Sequence, residues 1–437
     1  MPATNLASQI QNVVPHALFV AFHYPPEASS SGVLRTLKYS RYLPEHGWRV
    51  SVIAPKESAY SVRDPKLEDQ IPPATKVVRT PYLNTKRDLS IRGIYPAVFA
   101  LPDIWVGWMP WAVSAGKRLM ASDPVDVIYS TSPHATAHLI AARLARAASK
   151  PWVADFRDPW IEEPPEPGAP NGPLFRSINR WLERHVVMNS DAIVTSTTHL
   201  RDSIRQRYGS DIPQVKTRAI LNGFDEADFA NFGPSGSPRG ARLRIVHIGS
   251  INAEFRDPSP LFEAIARMVR EGRLATSECD IAFIGGGPYS ETGEVRARVD
   301  AAGLSASVSF LPRIPYQQAL REASAADLLL LLQASDDTVG LVPAKLYEYL
   351  RAGKPTLALV RPGAVSELLN ETGGGWEVDP RDSSTLDSTL TEIVAAWRSD
   401  RLAQHCADLV ALRRFDRRAL TAELACLFDE VCAARRS

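Results

Sequence analysis

Short apolar runs alternate with amphipathic segments along the first half of the chain. Each run has the length of a strand and is bounded by turn residues, while apolar positions between the runs recur at helical spacing. This alternation predicts a parallel sheet covered by helices on both faces. The predicted strands are 16–22, 48–54, 76–80, 126–130, 152–155, 192–196 and 218–222, and the clearest helices are 33–46, 135–149 and 173–188.

The alternation stops at residues 231–242 (NFGPSGSPRGAR) and then restarts. The Gly, Pro and Ser content of this stretch is typical of a linker between domains. The strands predicted after it are 243–250, 280–287, 308–312, 327–333 and 356–360, and the helices are 258–271, 315–324, 343–352, 364–370 and 414–433.

The pattern therefore predicts two doubly wound α/β domains. We expect an N-terminal domain over 1–230, a C-terminal domain over 243–412, and a C-terminal helix over 413–437 that packs back on the first domain. Two such domains would face each other across a cleft, with ligands bound at the carboxyl ends of the strands.

Composition narrows the classes of function. Of the 437 residues, 45% are hydrophobic, which is enough for large packed cores. Fifty Lys and Arg against 49 Asp and Glu leave a formal net charge of +1, whereas a general nucleic-acid-binding protein needs a basic field. The four cysteines form no CxxC pair and accompany no histidine cluster, so we expect reduced thiols. Without a signal peptide at 1–15 or a run that could cross a bilayer, the sequence predicts a cytoplasmic protein.

Residues 340–355 (GLVPAKLYEYLRAGKP) hold the most informative pair of charged side chains. Glu348 lies on a short predicted helix, and a carboxylate there can accept two hydrogen bonds from a vicinal diol such as that of ribose. Lys345 lies three residues earlier on the same side, where it could meet a phosphate. A surface Lys/Glu pair on an ordinary helix explains this segment equally well.

Other loops of the second half follow predicted strands and carry groups suited to a phosphate or a base. Gly249 would let the backbone approach a ligand closely. Arg256 offers a guanidinium fork for a diphosphate. The triple glycine 285–287 leaves backbone amides open, although it is also a common bare turn. Arg313 follows the strand 308–312 at the same predicted sheet edge.

In the first half, the loop 23–32 (HYPPEASSSG) leads into a helix at Gly32. A helix start can receive an anion, but the absence of GxGxxG argues against a dinucleotide-binding dehydrogenase. His134 follows the strand 126–130, where ligands bind in this architecture, although a lone histidine is more often structural. Paired acids at 155–164 (DFRDPWIEEP) could do acid–base work, but contacts with Arg157 are the favoured explanation.

Segment 81–112 combines aromatic and cationic side chains. Trp residues at helical spacing with nearby cations suit a membrane interface or a bulky amphipathic acceptor, but such Trp residues more often belong to a core. We favour the core. The rings are Trp105, Trp108 and Trp111, and the cations are Lys86, Arg87 and Arg92.

Seven segments of the chain carry a family resemblance: FHYPPEASSSG, DVIYSTSPH, DFRDPW, LNGFD, HIGS with RDPSPLFEA, IGGGP and VPAKLYEYLRAGKP. Taken in this order, they resemble the retaining GT-B glycosyltransferases. They resemble in particular the large bacterial family that builds cell-surface polysaccharides and glycolipids and that includes sucrose synthase. The resemblance covers nearly the whole chain and implies two Rossmann-like domains, the second binding a nucleotide-diphosphate sugar and the first an acceptor.

The resemblance also implies roles for single residues. Glu348 would bind the ribose hydroxyls, Arg256 would neutralise the diphosphate, and His134 would lie near the transferring sugar. Further members of the implied nucleotide-sugar site are Gly32 near the phosphates, Gly285, Gly286, Gly287 and Arg313 around the base, and Gly249 and Leu341.

The chain departs from the family pattern at two points. The family usually has an additional Glu upstream of the ribose Glu, whereas here only Asp336 and Asp337 are nearby in DDTVGLVP. A Lys often follows the diphosphate Arg, but DPSP follows Arg256. Lys345 could fill that gap.

We therefore predict transfer of a sugar from a nucleotide-diphosphate donor to a hydroxyl acceptor with retention, with His134, Arg256 and Lys345 as catalytic residues. No metal or cofactor is predicted. The acceptor is a glycan or a lipid-linked molecule, with peripheral contact at the inner face of the membrane. The alternatives are a nucleotide-sugar 2-epimerase and a non-catalytic nucleotide-sugar-binding protein of the same fold.

Overall fold

The computed structural model describes residues 14–29, 32–90, 97–161, 172–230 and 240–436. The described chain divides into two compact units. The first takes in residues up to Ser196, then Arg201–Ile220 and the segment from Thr421 onward, and the second comprises Thr197–Leu200 and Leu221–Leu420. Most of the expected linker, 231–239, lies outside the described residues.

The first unit is built on a parallel sheet whose strands run in the order β3-β2-β1-β4-β5-β6-β7. The central strand β1 pairs with β2 on one side and β4 on the other, and all of its side chains are buried. The strands are β1 His16–Ala21, β2 Arg49–Pro55, β3 Lys76–Thr80, β4 Val127–Thr131, β5 Trp152–Phe156, β6 Ala192–Thr195 and β7 Thr217–Ala219.

A buried ion pair fixes the first helix of this unit to the sheet. Arg35 donates from Nε to Asp155 Oδ2 at 2.9 Å and from Nη2 to Asp155 Oδ1 at 3.0 Å, and both side chains are fully buried. Tyr129 and Thr131 also donate to Asp155. The helices up to the second unit are α1 Gly32–Tyr42, α2 Thr85–Asp88, α3 Met109–Ser122, α4 Thr136–Ala148, α5 Pro173–Asn189 and α6 Thr198–Tyr208.

The second unit repeats the architecture with the strand order β10-β9-β8-β11-β12-β13, again parallel throughout. Its strand β11 is entirely buried, as expected for a strand covered on both faces. The strands are β8 Leu243–Ile248, β9 Cys279–Ile284, β10 Val308–Leu311, β11 Leu328–Gln333, β12 Thr356–Val360 and β13 Gly375–Val378.

Helices cover both faces of the second sheet, and the last helix of the chain ends in the first unit. They are α7 Glu226–Phe229, α8 Ser259–Arg270, α9 Pro288–Glu291, α10 Gly293–Ala301, α11 Tyr316–Ala325, α12 Ala344–Arg351, α13 Ala364–Thr372, α14 Ser383–Arg398, α15 Leu409–Leu412 and α16 Arg417–Ala434.

Several predicted boundaries differ from the structure. The helix 33–46 ends at Tyr42 and continues as a 3-10 turn over Leu43–His46, which contains Pro44. The strand 280–287 ends at Ile284, because Gly285 takes a φ of +74°. The strand 218–222 is three residues long, Thr217–Ala219. Strand β13 (GWEV) was not predicted, since its apolar pattern is too short.

Candidate functional site

The residues nominated in the second unit lie in loops and a helix at the carboxyl edge of its sheet. In a parallel sheet the loops that leave the strand ends share one edge, and ligands bind there. Here the loop after β8 carries Gly249 and Arg256, the loop after β9 carries the triple glycine 285–287, and α12 carries Lys345 and Glu348.

Glu348 is a half-buried carboxylate on α12. Its Oε1 accepts a hydrogen bond of 2.9 Å from the hydroxyl of Tyr316, which also lies 3.4 Å from Asp228 Oδ2. Burial raises the pKa of Glu348 to about 7, and the neighbouring charge of Asp228 adds to this, while the Tyr316 hydrogen bond, Arg417 and Lys345 oppose it. The surroundings of Glu348 therefore disfavour its ionised form.

Lys345 lies one turn before Glu348 on the same helix. Its Nζ donates to the carbonyl of Ile248 at 2.6 Å. Burial lowers the pKa of Lys345 to about 7, the charge of Arg256 lowers it further, and Glu348 opposes the shift. Gly249 makes room for the ammonium group: its φ is +112°, and a Cβ at this position would lie 2.7 Å from Nζ.

Arg256 extends from the loop after β8. Its Nη1 donates to Ser250 Oγ at 2.8 Å, and its guanidinium lies 4.9 Å from the ring centre of Phe255. The Asn252 side chain holds this loop by accepting the backbone N–H groups of 254, 255 and 256. Burial lowers the pKa of Arg256.

Lys345 and Arg256 share an electrostatic feature. Within the described residues, neither cation forms an ion pair with a carboxylate. The charge of Arg256 lowers the pKa of Lys345, and an anion beside these two partly buried cations would be stabilised.

The triple glycine lies beside the Arg256 loop. The N–H of Ile251 donates to the carbonyl of Gly286 at 2.9 Å, which ties the two loops together. Gly285 and Gly287 have φ values of +74° and +73°, so both need glycine. A Cβ on Gly285 would lie 3.5 Å from the Cα of Arg313, whose side chain is exposed. The structure thus brings Gly249, Gly285–Gly287, Arg313, Arg256, Lys345 and Glu348 to one sheet edge.

The loop 334–343 contains Leu341, Asp336 and Asp337. The two acids are the ones nearest to the position where the resembled family usually has a Glu upstream of the ribose Glu. Gln333, buried at the end of β11, donates from Nε2 to the carbonyl of Leu341 at 3.0 Å and to that of Thr338 at 3.2 Å. Asp336 and Asp337 are exposed, and Asp336 pairs with Arg361. Leu341 therefore contributes an ordered backbone to this loop, and Asp336 is engaged at the surface.

In the first unit, His134 lies in the loop after β4 and is surrounded by aromatic rings. Phe22 lies 4.4 Å and Trp105 6.0 Å from it, between ring centroids. Its Nε2 is 3.3 Å from Nε2 of His23, whose Nδ1 is 2.9 Å from Oε2 of the buried Glu27. Burial, aided by the charges of His23 and Arg157, holds the pKa of His134 well below its usual range. His134 is therefore a neutral imidazole in a cluster of polar side chains.

Arg157 lies against the start of α1. A Cβ on Gly32 would fall 1.7 Å from Nη1 of Arg157, so the guanidinium takes the space of a side chain at this position. Arg157 is 6% exposed, and its Nε lies 3.3 Å from Asp158 Oδ2. Its Nη1 has no hydrogen-bond partner among the residues that the structure describes. The expected contact between Arg157 and a loop acid is thus found with Asp158, while Asp155 pairs with Arg35 instead. Glu162 and Glu163 lie outside the described residues.

Trp108 belongs to the core, as favoured from the sequence. It is fully buried, and its Nε1 donates to Thr80 Oγ1 at 2.6 Å. Trp105 is half-buried against Phe22, whereas Trp111 is 40% exposed. Arg92 lies outside the described residues. Lys86 and Arg87 are exposed and lie on the short helix α2.

Three side chains that neighbour the nominated residues were not identified from the sequence. They are Tyr316, which bonds to Glu348, and His23 and Glu27, which belong to the His134 cluster. The sequence carries a signal for Tyr316, because this residue follows Pro315 at the start of α11, directly after the loop of the nominated Arg313. His23 and Glu27 lie four residues apart in the loop 23–32, of which only Gly32 was nominated from the sequence. Their importance depends on their distance to His134, more than one hundred residues away in the chain, and the local pattern carries no information on it.

Metal-ligand clusters and membrane-spanning helices are both absent from the residues that the structure describes. No group of three or more His, Cys, Asp or Glu side chains that could hold a metal ion occurs in the part of the chain that the structure describes. Of the helices in the described ranges, none has the length and apolar character needed to cross a membrane.

Comparison with known proteins agrees with this architecture. Residues 32–223 match the family model described as a glycosyl transferase 4-like domain. A probable glycosyltransferase, WbjE of Pseudomonas aeruginosa, is 32% identical over 143 residues, which are 31% of this chain and 35% of that protein. The match thus spans about a third of the length of this curated relative.

Solved structures resemble the whole described fold. Anabaena HepE in complex with UDP and glucose superposes with a TM-score of 0.65 at 16% identity, covering 95% of this chain and 100% of that one. A sucrose-phosphate synthase from Thermosynechococcus elongatus gives 0.64 at 16% identity, with 96% and 99% covered. WaaG, a glycosyltransferase of lipopolysaccharide biosynthesis, gives 0.59 at 14% identity, with 94% and 99% covered. The fold is that of the GT-B glycosyltransferases, with two Rossmann-like domains, which confirms the predicted fold class.

Proposed function

We propose that this protein is a glycosyltransferase that moves a sugar from a nucleotide-diphosphate donor to a hydroxyl acceptor with retention of configuration. The observation that carries the proposal is the pair Lys345 and Arg256 beside the half-buried Glu348. Neither cation forms an ion pair with a carboxylate in the described part of the chain. A diphosphate supplies the missing negative charge, and a ribose supplies the diol for the carboxylate. The UDP and UDP-glucose complexes of Anabaena HepE support a donor of this class.

The second unit would bind the donor. Glu348 accepts hydrogen bonds from the ribose hydroxyls, and Gly285–Gly287 with Arg313 border the base. Gly249 and Leu341 supply backbone close to the sugar diphosphate. Arg256 and Lys345 stabilise the charge that grows on the leaving diphosphate, which is electrostatic catalysis in a partly desolvated site. The two cations would take the place that a metal ion has in other transferases.

The first unit would bind the acceptor, a glycan or a lipid-linked molecule. His134 contacts a sugar hydroxyl, and Gly32 with the start of α1 lies near phosphate. We also propose a cytoplasmic protein that touches the inner face of the membrane through exposed apolar side chains near Lys86 and Arg87. These are Leu89, Val98, Phe99 and Trp111.

A donor panel tests the reaction. The protein is incubated with UDP-, GDP- and dTDP-sugars in EDTA, and sugar, nucleotide and epimer products are separated by chromatography. We expect slow hydrolysis of one donor, lost in Glu348→Ala. Epimerisation without hydrolysis would indicate a nucleotide-sugar 2-epimerase, and binding without any turnover would indicate a non-catalytic nucleotide-sugar-binding protein. Turnover that needs added magnesium or manganese would contradict the role given to the two cations.

A further inference from the structure

The hydroxyl of Tyr316 lies between two carboxylates of the second unit. It is 2.9 Å from Oε1 of Glu348 and 3.4 Å from Oδ2 of Asp228. Asp228 is buried, and its other oxygen, Oδ1, accepts from Nε2 of Gln317 at 3.3 Å. Tyr316 begins α11, Glu348 is on α12 and Asp228 is on α7. The contact thus joins three helices beside the nominated carboxylate.

The hydroxyl of Tyr316 is the donor in its contact with an ionised Glu348. Burial, with the charges of Glu348 and Asp228, holds the pKa of Tyr316 well above its usual range, so the phenol keeps its hydrogen at neutral pH. An ionised carboxylate accepts hydrogen bonds and cannot donate them. Because Oε1 of Glu348 is the nearer of the two acceptors, the single hydroxyl hydrogen is directed to it when Glu348 is charged.

Apolar packing holds the ring of Tyr316 in place. The ring packs against the hydrophobic cluster that contains Leu320 and Leu346, and α11 is in contact with α12. Leu320 lies one turn further along α11 and is buried. A ring that is anchored in this way loses little additional side-chain entropy when its hydroxyl binds Glu348.

The second carboxylate oxygen of Glu348 has different surroundings. Oε1 accepts from Tyr316, whereas Oε2 accepts no hydrogen bond from any residue in the described ranges. An ionised carboxylate has about four lone-pair sites, of which Tyr316 takes one. Oε2 is thus the oxygen that remains for a hydroxyl group of a ligand.

Groups on four helices act on the ionisation of Glu348. Burial raises its pKa to about 7, and the charge of Asp228 adds to this. Among the groups that lower the pKa, the hydrogen bond from Tyr316 has the largest effect, ahead of the charges of Arg417 on α16 and Lys345 on α12. Tyr316 is therefore the side chain that most favours the charged carboxylate.

We propose that Tyr316 is a positioning residue that binds Oε1 of Glu348, stabilises the ionised carboxylate and leaves Oε2 to a ribose hydroxyl of the donor. The inference rests on the proposed function for the identity of the ligand. Tyr316 acts on the nucleotide through the carboxylate and needs no contact of its own with it. Asp228 opposes this action, because a second negative charge beside Glu348 favours the neutral acid.

The pKa of Glu348 in the protein without ligand tests the role of Tyr316. Carbon-13 spectra of glutamate-labelled protein follow each side-chain carboxyl through a pH titration, and the Glu348 signal is identified by its loss in Glu348→Gln. Tyr316→Phe keeps the ring and its packing but removes the donor, so the pKa of Glu348 should rise. Asp228→Asn should lower it, because a neighbouring negative charge is lost. Tyr349→Phe is the matched control, since the Tyr349 hydroxyl, on the same helix, accepts the N–H of Ile248 at 2.8 Å.

Three results of this titration would overturn the proposal. They are an unchanged or lowered pKa of Glu348 in Tyr316→Phe, an equal rise in Tyr349→Phe, and a raised pKa in Asp228→Asn. The opposite signs expected for Tyr316→Phe and Asp228→Asn separate a specific contact from a general loss of order, which would move both variants in one direction. The titration uses no nucleotide, so its outcome is independent of the donor panel.

Binding of nucleotide sugars tests whether Tyr316 acts on the ligand through Glu348. UDP-glucose and GDP-mannose are the probes, because their diphosphates do not titrate near neutral pH. Tyr316→Phe should weaken binding about tenfold at pH 6, the effect of losing one hydrogen bond to a charged group, and much less at pH 8. In a Glu348→Gln background, the same substitution should have little effect at either pH.

The double substitution also decides against the proposal if it fails. An equal loss of affinity in both backgrounds would mean that Tyr316 contacts the nucleotide directly, and it would overturn the positioning role. A native protein that binds neither probe would contradict the proposed function and the ribose as ligand. The carbon-13 titration would then still decide whether Tyr316 stabilises the charge of Glu348.

Discussion

The two units present opposite kinds of polar site at the carboxyl edges of similar sheets. In the second unit, Lys345 and Arg256 are charged groups whose carboxylate partners are missing among the described residues. In the first unit, the hydrogen bonds of Glu27 and His23 are satisfied within the cluster. The two cations of the second site are thus not neutralised by ion pairs within the described ranges, whereas the polar groups of the first site bond to one another.

This difference appears in the direction of the pKa shifts. Burial moves the pKa of Glu348 up and that of Lys345 down, so each group is pushed towards its neutral form. The pKa of Glu27 moves the other way, towards the charged form, because its hydrogen bonds outweigh burial. The protein thus stabilises the charged form of the Glu27 carboxylate and disfavours the charged form of Glu348.

The largest expected effect separates catalysis from binding in the second unit. Arg256→Leu should lower kcat by about 100-fold while KM for the donor changes little, because the diphosphate gains charge as the glycosidic bond breaks. Arg267→Leu is the matched control, since Arg267 pairs with Asp387 in the same unit. Steady-state kinetics decide: a rise in KM with kcat unchanged would mean uniform binding and would remove Arg256 from the transition state.

Nucleotide affinity should distinguish the two units directly. Glu348→Ala should weaken binding of the nucleoside diphosphate by about 1–3 kcal/mol, since a charged acceptor of hydrogen bonds is lost. His134→Asn should leave that affinity unchanged, because the first unit is assigned to the acceptor. Isothermal titration calorimetry measures both variants, and equal losses in the two would erase the proposed division of labour.

Stability against pH should change with opposite sign at the two carboxylates. The folded-state pKa of Glu348, about 7, is above the ordinary value of 4.5, so its neutral form stabilises the fold below pH 4.5 and this contribution is lost as pH rises through 7. Glu348→Gln should therefore gain stability between pH 5 and pH 8, by about 1–2 kcal/mol relative to the native protein.

Glu27→Gln should show the reverse. The folded-state pKa of Glu27 is lowered, so its charged form stabilises the fold at pH above the ordinary value and loses that contribution as pH falls. The substitution should thus be more destabilising at pH 8 than near pH 4. Urea denaturation midpoints at each pH provide the measurement, and parallel changes in the two variants would show that the contrast between the sites is wrong.

The smallest expected effect is a proton taken up on binding. Free Lys345, with a pKa lowered to about 7, is mostly neutral at pH 8, and a bound diphosphate would raise that pKa. We expect uptake of a fraction of a proton at pH 8, seen as a more endothermic binding enthalpy in Tris than in HEPES. The buffer dependence should vanish in Lys345→Met. Proton release in the native protein would contradict the placement of Lys345 beside the diphosphate.

The sequence predicted the site of the second unit better than that of the first, because its key residues are close together in the chain or directly follow strands. Lys345 and Glu348 share one turn of α12, and the glycines lie directly after strands, so local spacing places them on one edge. Most of the fold was also predictable, because the strands of the two sheets other than β7 and β13 carry apolar runs. The role of each residue at the nominated site stays a prediction.

The site in the first unit could not be read in this way. His134 was nominated from its position after a strand, but His23 and Glu27 come from the loop after β1. Their contact with His134 depends on β1 and β4 being neighbours in the sheet, which no short-range pattern encodes. Arg157 was interpreted as a loop tie and does contact Asp158, but its guanidinium also occupies the space beside Gly32, more than one hundred positions away.

The path of the chain has a consequence for biosynthesis. Phe428, on α16, is fully buried in the first unit, 5.3 Å from Trp48, 6.1 Å from Tyr129 and 6.5 Å from Phe19 between ring centroids. A ribosome releases the three partner rings early and Phe428 only after the whole second unit has emerged. The unit that is synthesised first is therefore the last to complete its core, and until then its apolar surface is exposed to chaperones and to aggregation.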